Sequence, residues 1–275
     1  MQSPHRTAST LAHLAIEVGS IHPYLRDGFT IREPGDPTAG WIDAADLIHD
    51  AALLIEVIDR RCDSRRPPAG IGDAVLRSAV ASTLYQTLTW RALGPAVAIA
   101  SVHGGWERDA PGRWLRFGPD GSILMGHADA EIQGGRPTDS ESMRPGDDAL
   151  DAMRAGPWIG FLVPLAEAVR TVVRLGPRQL PGNAAAVLAS VHRLMIVTGY
   201  LSPLDAAAAH ARAAERLGLT SFGAWLERPD PWFRRSTCCL WFRVGGGLCG
   251  DCPKHDPAAG AEAATTWWKA RRSAA

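Results

Sequence analysis

Lysine is nearly missing from this chain, which has two (Lys254 and Lys269) against 27 arginines. Neither sign of charge is in excess, with 29 basic and 29 acidic residues. A nucleic-acid binder relies on a basic field, and a balanced chain has none. The skew toward arginine and alanine reads as GC-rich coding. Long hydrophobic runs are also lacking. The longest uncharged apolar stretch, Ala92–Val102, has eleven residues and contains Gly94 and Pro95. A membrane helix needs about 20. The start, MQSPHRTASTLAHLAIEVG, has no basic segment followed by an apolar run and a cleavage site, so a cytoplasmic protein is expected. What remains is ample for a core: 275 residues, 46% hydrophobic and 21% charged, a composition foreign to disordered chains.

Periodicity points to a mainly α protein with a small β-hairpin element, an α+β fold. Apolar residues at spacings of three and four mark helices at Asp43–Cys62, with Asp43 as N-cap, and at Asp73–Leu93. Further helices are expected at Ser9–Val18, Asp148–Leu175, Asn183–Thr198 and Pro203–Leu217, with Pro164 kinking or dividing its helix. Asn183 reads as a helix cap. Between two short apolar runs, Trp114–Phe117 and Ser122–Met125, Gly118-Pro119-Asp120-Gly121 is a turn signal. A hairpin is therefore expected near 113–126, preceded by a strand at Val97–Val102. The chain divides into an N-terminal helical region (1–130), a polar Gly/Pro-rich loop (131–148) and a C-terminal helical region (149–275).

Four of the five cysteines fall between Cys238 and Cys252. A disulfide framework would spread them along the chain, so a tight cluster reads as a metal site. The pattern within residues 236–255 is C-C-x9-C-x2-C. A C-x2-C turn aims two thiolates at one metal, and Gly250 is placed to let the backbone approach it. The vicinal pair Cys238-Cys239 is unusual, because adjacent side chains of an extended segment point apart. Both reach one centre only through a bent backbone. A structural zinc held by four cysteines, a vicinal dithiol and a [2Fe–2S] cluster held by Cys238, Cys239, Cys249 and Cys252 all remain open on these grounds. Arg234, Arg235, Arg243 and Lys254 flank the ligands, where cations would raise a cluster's potential or meet a substrate. Trp225, Trp232 and Trp241 stand near the motif, as a shield against water, as a stacking surface or as core.

The segment Arg235–Pro253 resembles the C-terminal motif of FhuF-like ferric-siderophore reductases: paired cysteines, an aromatic-Arg step, a glycine stretch and C-G-D-C-P. Leu180-Pro181-Gly182-Asn183-Ala184-Ala185 is similar to that family's Leu-x-Gly-Asn-x-Ala helix start. The spacing between the cysteine pairs is one residue shorter than the family pattern. The resemblance implies a [2Fe–2S] protein that reduces iron inside a hydroxamate-type siderophore in the cytoplasm. It also implies an external electron donor, such as a ferredoxin or a reductase. Hard oxygen ligands hold Fe3+ tightly and Fe2+ much less so, so one electron loosens the complex. Catecholates hold ferric iron at lower potentials and are expected to react more slowly. Gly245-Gly246-Gly247 follows no strand–turn–helix unit, so no flavin or nicotinamide is expected.

Several residues carry lesser expectations. Cys62, inside Arg60-Arg61-Cys62-Asp63-Ser64-Arg65-Arg66, reads as an incidental thiol at a helix end, although its arginines could lower its pKa. His103 and His127 flank the hairpin and read as structural histidines rather than cleft residues. Trp267-Trp268 with Lys269, Arg271 and Arg272 permits at most a peripheral contact with the inner membrane face.

Overall fold

The computed structural model describes residues 8–10, 13, 16, 19, 29–32, 40–65, 69–103, 113–118, 121–128, 131–133, 147–226 and 232–272. Two helices form its spine. The first, α3 (Asp73–His103), is 31 residues long and carries Pro95 inside it. The second, α6 (Gln179–Val197), packs along it, with Gly94 letting Trp90 and Val191 close in on the α3 backbone. By length and apolar composition α6 would pass as a membrane span, but 78% of that window is buried inside the protein.

On one side of the spine lie β3 (Ile42–Asp43), α1 (Asp46–His49) and α2 (Ala51–Asp63). The single helix expected over Asp43–Cys62 is thus interrupted. Asp50 adopts an extended conformation there and caps α2, its side chain accepting from Ala52 N–H and Leu53 N–H. Asp43 still acts locally, accepting from Ala45 N–H at 2.9 Å. Leu54, Val57 and Ile58 form the buried stripe of α2.

The hairpin is present as β4 (Arg113–Phe117) and β5 (Ile123–Ala128), closed by Gly118 N–H to Ser122 O, with Gly121 at φ +76°. It is the centre of a four-stranded sheet of order β2-β5-β4-β3, in which β2 (Phe29–Arg32) runs parallel to β5. Residues Ala8–Thr10, overlapping the start of the expected Ser9–Val18 helix, form β1, which pairs with β6 (Glu131–Gln133). The expected strand at Val97–Val102 is instead the end of α3. Ala96–Ala100 are buried all round, and a run without a polar face has no period to separate helix from strand. Residues 134–146, most of the expected polar loop, lie outside the described residues.

The Asp148–Leu175 helix is three pieces: α4 (Asp147–Met153), a π-helical segment (Arg154–Leu162) and α5 (Val163–Val172). Pro157 and Pro164 each remove a backbone donor, and the wider turn absorbs the loss: Val163 N–H reaches Trp158 O, five residues back. Pro164 therefore opens α5 rather than kinking it. After α7 (Pro203–Arg216), capped by Ser202, come the two-stranded ribbon β7 (Gly223–Leu226)–β8 (Trp232–Arg235) and the terminal helix α8 (Pro257–Arg272).

Candidate metal centre

Strand β8 delivers the chain to the cysteines, and its two ends are fixed from different sides. Trp232, fully buried, donates from Nε1 to Gly250 O at 2.8 Å and packs against Gly260 of α8. Arg235 N–H donates to Asp251 O at 3.2 Å. Beyond Arg235, Thr237 lies against α6 so closely that a Cβ on Gly182 would fall 1.7 Å from its Oγ1. A glycine at 182 is a condition for this strand end to sit where it does.

The vicinal cysteines are reconciled by a bend. Leu240, at φ +68°, is the only non-glycine in the left-handed region among the described residues, and its N–H donates to Cys238 Sγ at 3.4 Å. A 3-10 turn (Trp241–Val244) and left-handed Gly245 then turn the chain back. The C-x2-C turn closes by Cys252 N–H to Cys249 O at 2.9 Å. No protein atom lies within 4 Å of a Cβ built on Gly250, so the chain itself does not require glycine there.

The four thiols converge two by two. Cys239 Sγ is 3.4 Å from Cys249 Sγ, and Cys252 Sγ is 4.0 Å from Cys238 Sγ. A tetrahedral metal with thiolate bonds of about 2.3 Å needs sulfurs about 3.8 Å apart, so both spacings bracket the requirement. Each close pair takes one cysteine from the vicinal dyad and one from the C-x2-C turn. Cys239 and Cys252 are buried, while Cys238 and Cys249 are half-buried, so the centre has an inner and an outer edge. Hydrogen bonding with Cys238 and then Cys249, helped by Arg235, holds the Cys239 thiol far below the ordinary range. Hydrogen bonding with Cys239, and then burial, push Cys238 and Cys249 up.

Residues 235–254 match the family described as the FhuF 2Fe-2S C-terminal domain. The loop is a [2Fe–2S] site. The match takes in all four clustered cysteines and none of the α-helices. No curated protein and no solved structure matches the chain. The donor set fits the cluster: four thiols, paired, from one short segment of chain.

Around the [2Fe–2S] loop the flanking cations separate into distinct environments. Arg235, 1% exposed, points inward, with Nη1 3.2 Å from Asn183 Oδ1 and Nη2 3.3 Å from Asp251 Oδ1. Burial alone would lower its pKa, but Asp251 and then Cys239, Cys249 and Cys252 outweigh it, and the guanidinium stays charged. Asn183 is fully buried inside α6, not at its cap, and its Nδ2 donates to Ser82 O and Ser82 Oγ, both at 2.9 Å. A polar chain Ser82–Asn183–Arg235–Asp251 therefore ties α3, α6 and β8 to the cluster turn. Arg193, 5% exposed, also feels Asp251, though burial dominates and lowers its pKa to about 10. Sequence reasoning missed Asp251 and Arg193 and read Asn183 as a cap; the Gly-Asn step was visible, its partner was not.

Arg234 is a brace, donating from Nη2 to Pro253 O (3.2 Å) and His255 O (3.3 Å). Arg243 and Lys254 are exposed, both over the Phe242 ring, at 6.0 and 4.9 Å from its centroid. Trp241 lies at the rim under the Arg65 guanidinium, 4.8 Å away. Trp225 is elsewhere, edge-on to His210 and beside Phe233. His127 is buried and desolvated, its pKa lowered to about 3, which fits a structural group. Cys62 ends α2, and burial, followed by Asp59, raises its thiol pKa to about 11, against the lowering its arginines could have given. The side chains of His103, Trp267 and Trp268 lie outside the described residues.

Proposed function

We propose that this protein is a one-electron reductase of ferric siderophores, of the hydroxamate type, fed by an external one-electron donor such as a ferredoxin or a reductase. The observation that supports this reading is the centre's asymmetry: Cys239 and Cys252 are buried beside a fixed cation, while Cys238 and Cys249 are half-exposed at the surface. The [2Fe–2S] group supplies storage of a single electron. The chain's own residues do the rest. Arg235 and Arg193 place positive charge where negative charge grows on reduction, which favours taking the electron up. Asn183 fixes Arg235 in direction, and Trp232 and Arg234 hold the carbonyls of Gly250, Pro253 and His255 by hydrogen bonds. Trp241, Phe242, Arg243 and Lys254 form the outer rim at which donor and substrate approach.

In the reaction the ferric complex gains one electron and becomes ferrous, the protein loses one, and no covalent bond is made. Oxygen ligands release Fe2+ far more readily than Fe3+, so the iron then passes to any ferrous acceptor. Stopped-flow mixing of chemically reduced protein with ferric hydroxamates, with a ferrous chelator present, tests this. Reoxidation with stoichiometric Fe2+ capture is expected, and slower reaction with ferric tris-catecholates. No reoxidation by any ferric hydroxamate, with the cluster intact, would sink the reading.

A further inference from the structure

Between α2 and the edge of the β3–β4 sheet lies a cleft of about 860 Å3, inside the range of about 300–1,000 Å3 typical of small-molecule sites. Trp41, Leu53, Val57 and Phe117 give it apolar walls, and Glu56, Arg60, Arg61 and Asp63 also line it. Exposed Arg60 is neutralised by Glu56 one turn back. Arg61 is not. It is 9% exposed, donates to Gly121 O (2.7 Å) and Thr87 Oγ1 (3.3 Å), and pairs with no carboxylate among the described residues. Its Nε is buried without a hydrogen-bond partner. Desolvation, then Arg65, lowers its pKa to about 10, which leaves it charged at neutral pH. Buried charges are ordinarily paired or liganded. Arg61, without a carboxylate partner among the described residues, shares the cleft wall with Glu56 and Asp63, so it suits a ligand that accepts through oxygen atoms without adding net negative charge.

The cleft also has a direct physical connection to the cluster. Thr87, which receives Arg61, and Ala79, which packs on Leu240 and Val244 of the cluster loop, are eight residues apart on α3, a span of about 12 Å. Arg65, next to the cleft residue Ser64, covers the Trp241 ring at 4.8 Å, and Trp241 packs with Leu240 and Val244 of the cluster loop.

We infer that this cleft binds an oxygen-rich ligand with an apolar body and no net negative charge, its oxygens accepting from Arg61 and its body against Trp41, Leu53, Val57 and Phe117; resting on the function proposed above, that ligand is the ferric hydroxamate siderophore itself, whose hydroxamate oxygens are bound to iron. Trp241 and Arg65 then form the contact between bound substrate and cluster.

Gallium(III) hydroxamate complexes, which keep the shape and charge of the ferric ones but accept no electron, separate binding from reduction. Calorimetric titration of the cluster-loaded wild-type protein is compared with Leu53→Trp, which fills the cleft, and Arg61→Met, which removes the cation. Binding by the wild type and affinity at least tenfold weaker in Leu53→Trp, with melting temperature and cluster spectrum retained, are expected. A similar loss is expected in Arg61→Met. No binding by the wild type, or unchanged affinity in folded Leu53→Trp, overturns the assignment whatever Arg61→Met does. Gallium binding with no reoxidation by the ferric complex would leave the cleft assigned and remove the reductase reading.

Discussion

Arg235 and Arg243 stand in the same cysteine segment with the same charge, yet they occupy opposite environments. Arg235 is buried, aimed by Asn183 and shared between Asp251 and the thiols. Arg243 is exposed and touches only the outer rim, over Phe242. Electrostatic strength scales with lost solvent screening, so the inner cation acts on the electron's energy at all salt concentrations. In the proposed reaction the outer cations would act on encounter with the donor, where salt weakens them. Position in the loop, not residue type, gives the two arginines these different environments.

The largest perturbation is removal of a thiol from the inner edge. Cys239→Ser should abolish the visible cluster spectrum, and serine at Cys238, Cys249 or Cys252 should abolish or severely weaken it. Cys62→Ser should leave the spectrum unchanged, because the thiol contacts among the described residues join only Cys238, Cys239, Cys249 and Cys252. Iron and sulfide analysis of anaerobically purified variants checks both. A normal cluster in Cys239→Ser would remove the pairing of Cys239 with Cys249.

A smaller effect breaks the comparison from the inside. Arg235→Met removes a cation from beside a centre that becomes more negative on reduction, so the midpoint potential should fall, by roughly 60 mV or more, a factor of ten for a one-electron couple. Asn183→Ala should move it the same way by less, and should cost about 1–3 kcal/mol of stability through the polar groups of Ser82 and Arg235 left without partners. Redox titration and thermal melting read the two effects separately. An unchanged potential in Arg235→Met would show that screening reaches the inner edge.

The convergence of the four cysteines was legible because spacing within one short segment carries it, and the hairpin was legible because its turn chemistry is local. Direction was not. The sequence placed Arg234, Arg235, Arg243 and Lys254 together, and only the fold separates brace, tuner and rim. Asn183 read as a cap because Gly182-Asn183 resembles a helix start, but Leu180 and Pro181 already lie within α6, where proline is tolerated in the first turn. Its amide instead joins partners 101 positions upstream and 52 downstream. No local pattern encodes such contacts. The strand expected at Val97–Val102 failed for the complementary reason, a buried run with no polar face to set its period.

The smallest expected effect sharpens the comparison from outside. Arg243→Ala with Lys254→Ala should leave the potential within error and slow electron exchange with an anionic donor a fewfold at low salt. The difference from wild type should vanish at high salt. Rate measurements across ionic strength check this; a shifted potential in the double variant would erase the division between inner and outer cations.

Leu240 has a consequence for how the cofactor gets in. Its left-handed backbone is unfavourable for a branched side chain, and it is held by burial of that side chain with Ala79 and Val244. The bend that brings Cys238 and Cys239 to one side is thereby anchored to α3, which packs along α6. Small metal domains without such packing are unfolded as apo chains. The apoprotein is therefore expected to keep its fold on losing iron and to accept a cluster again, which circular dichroism and reconstitution of metal-free protein check.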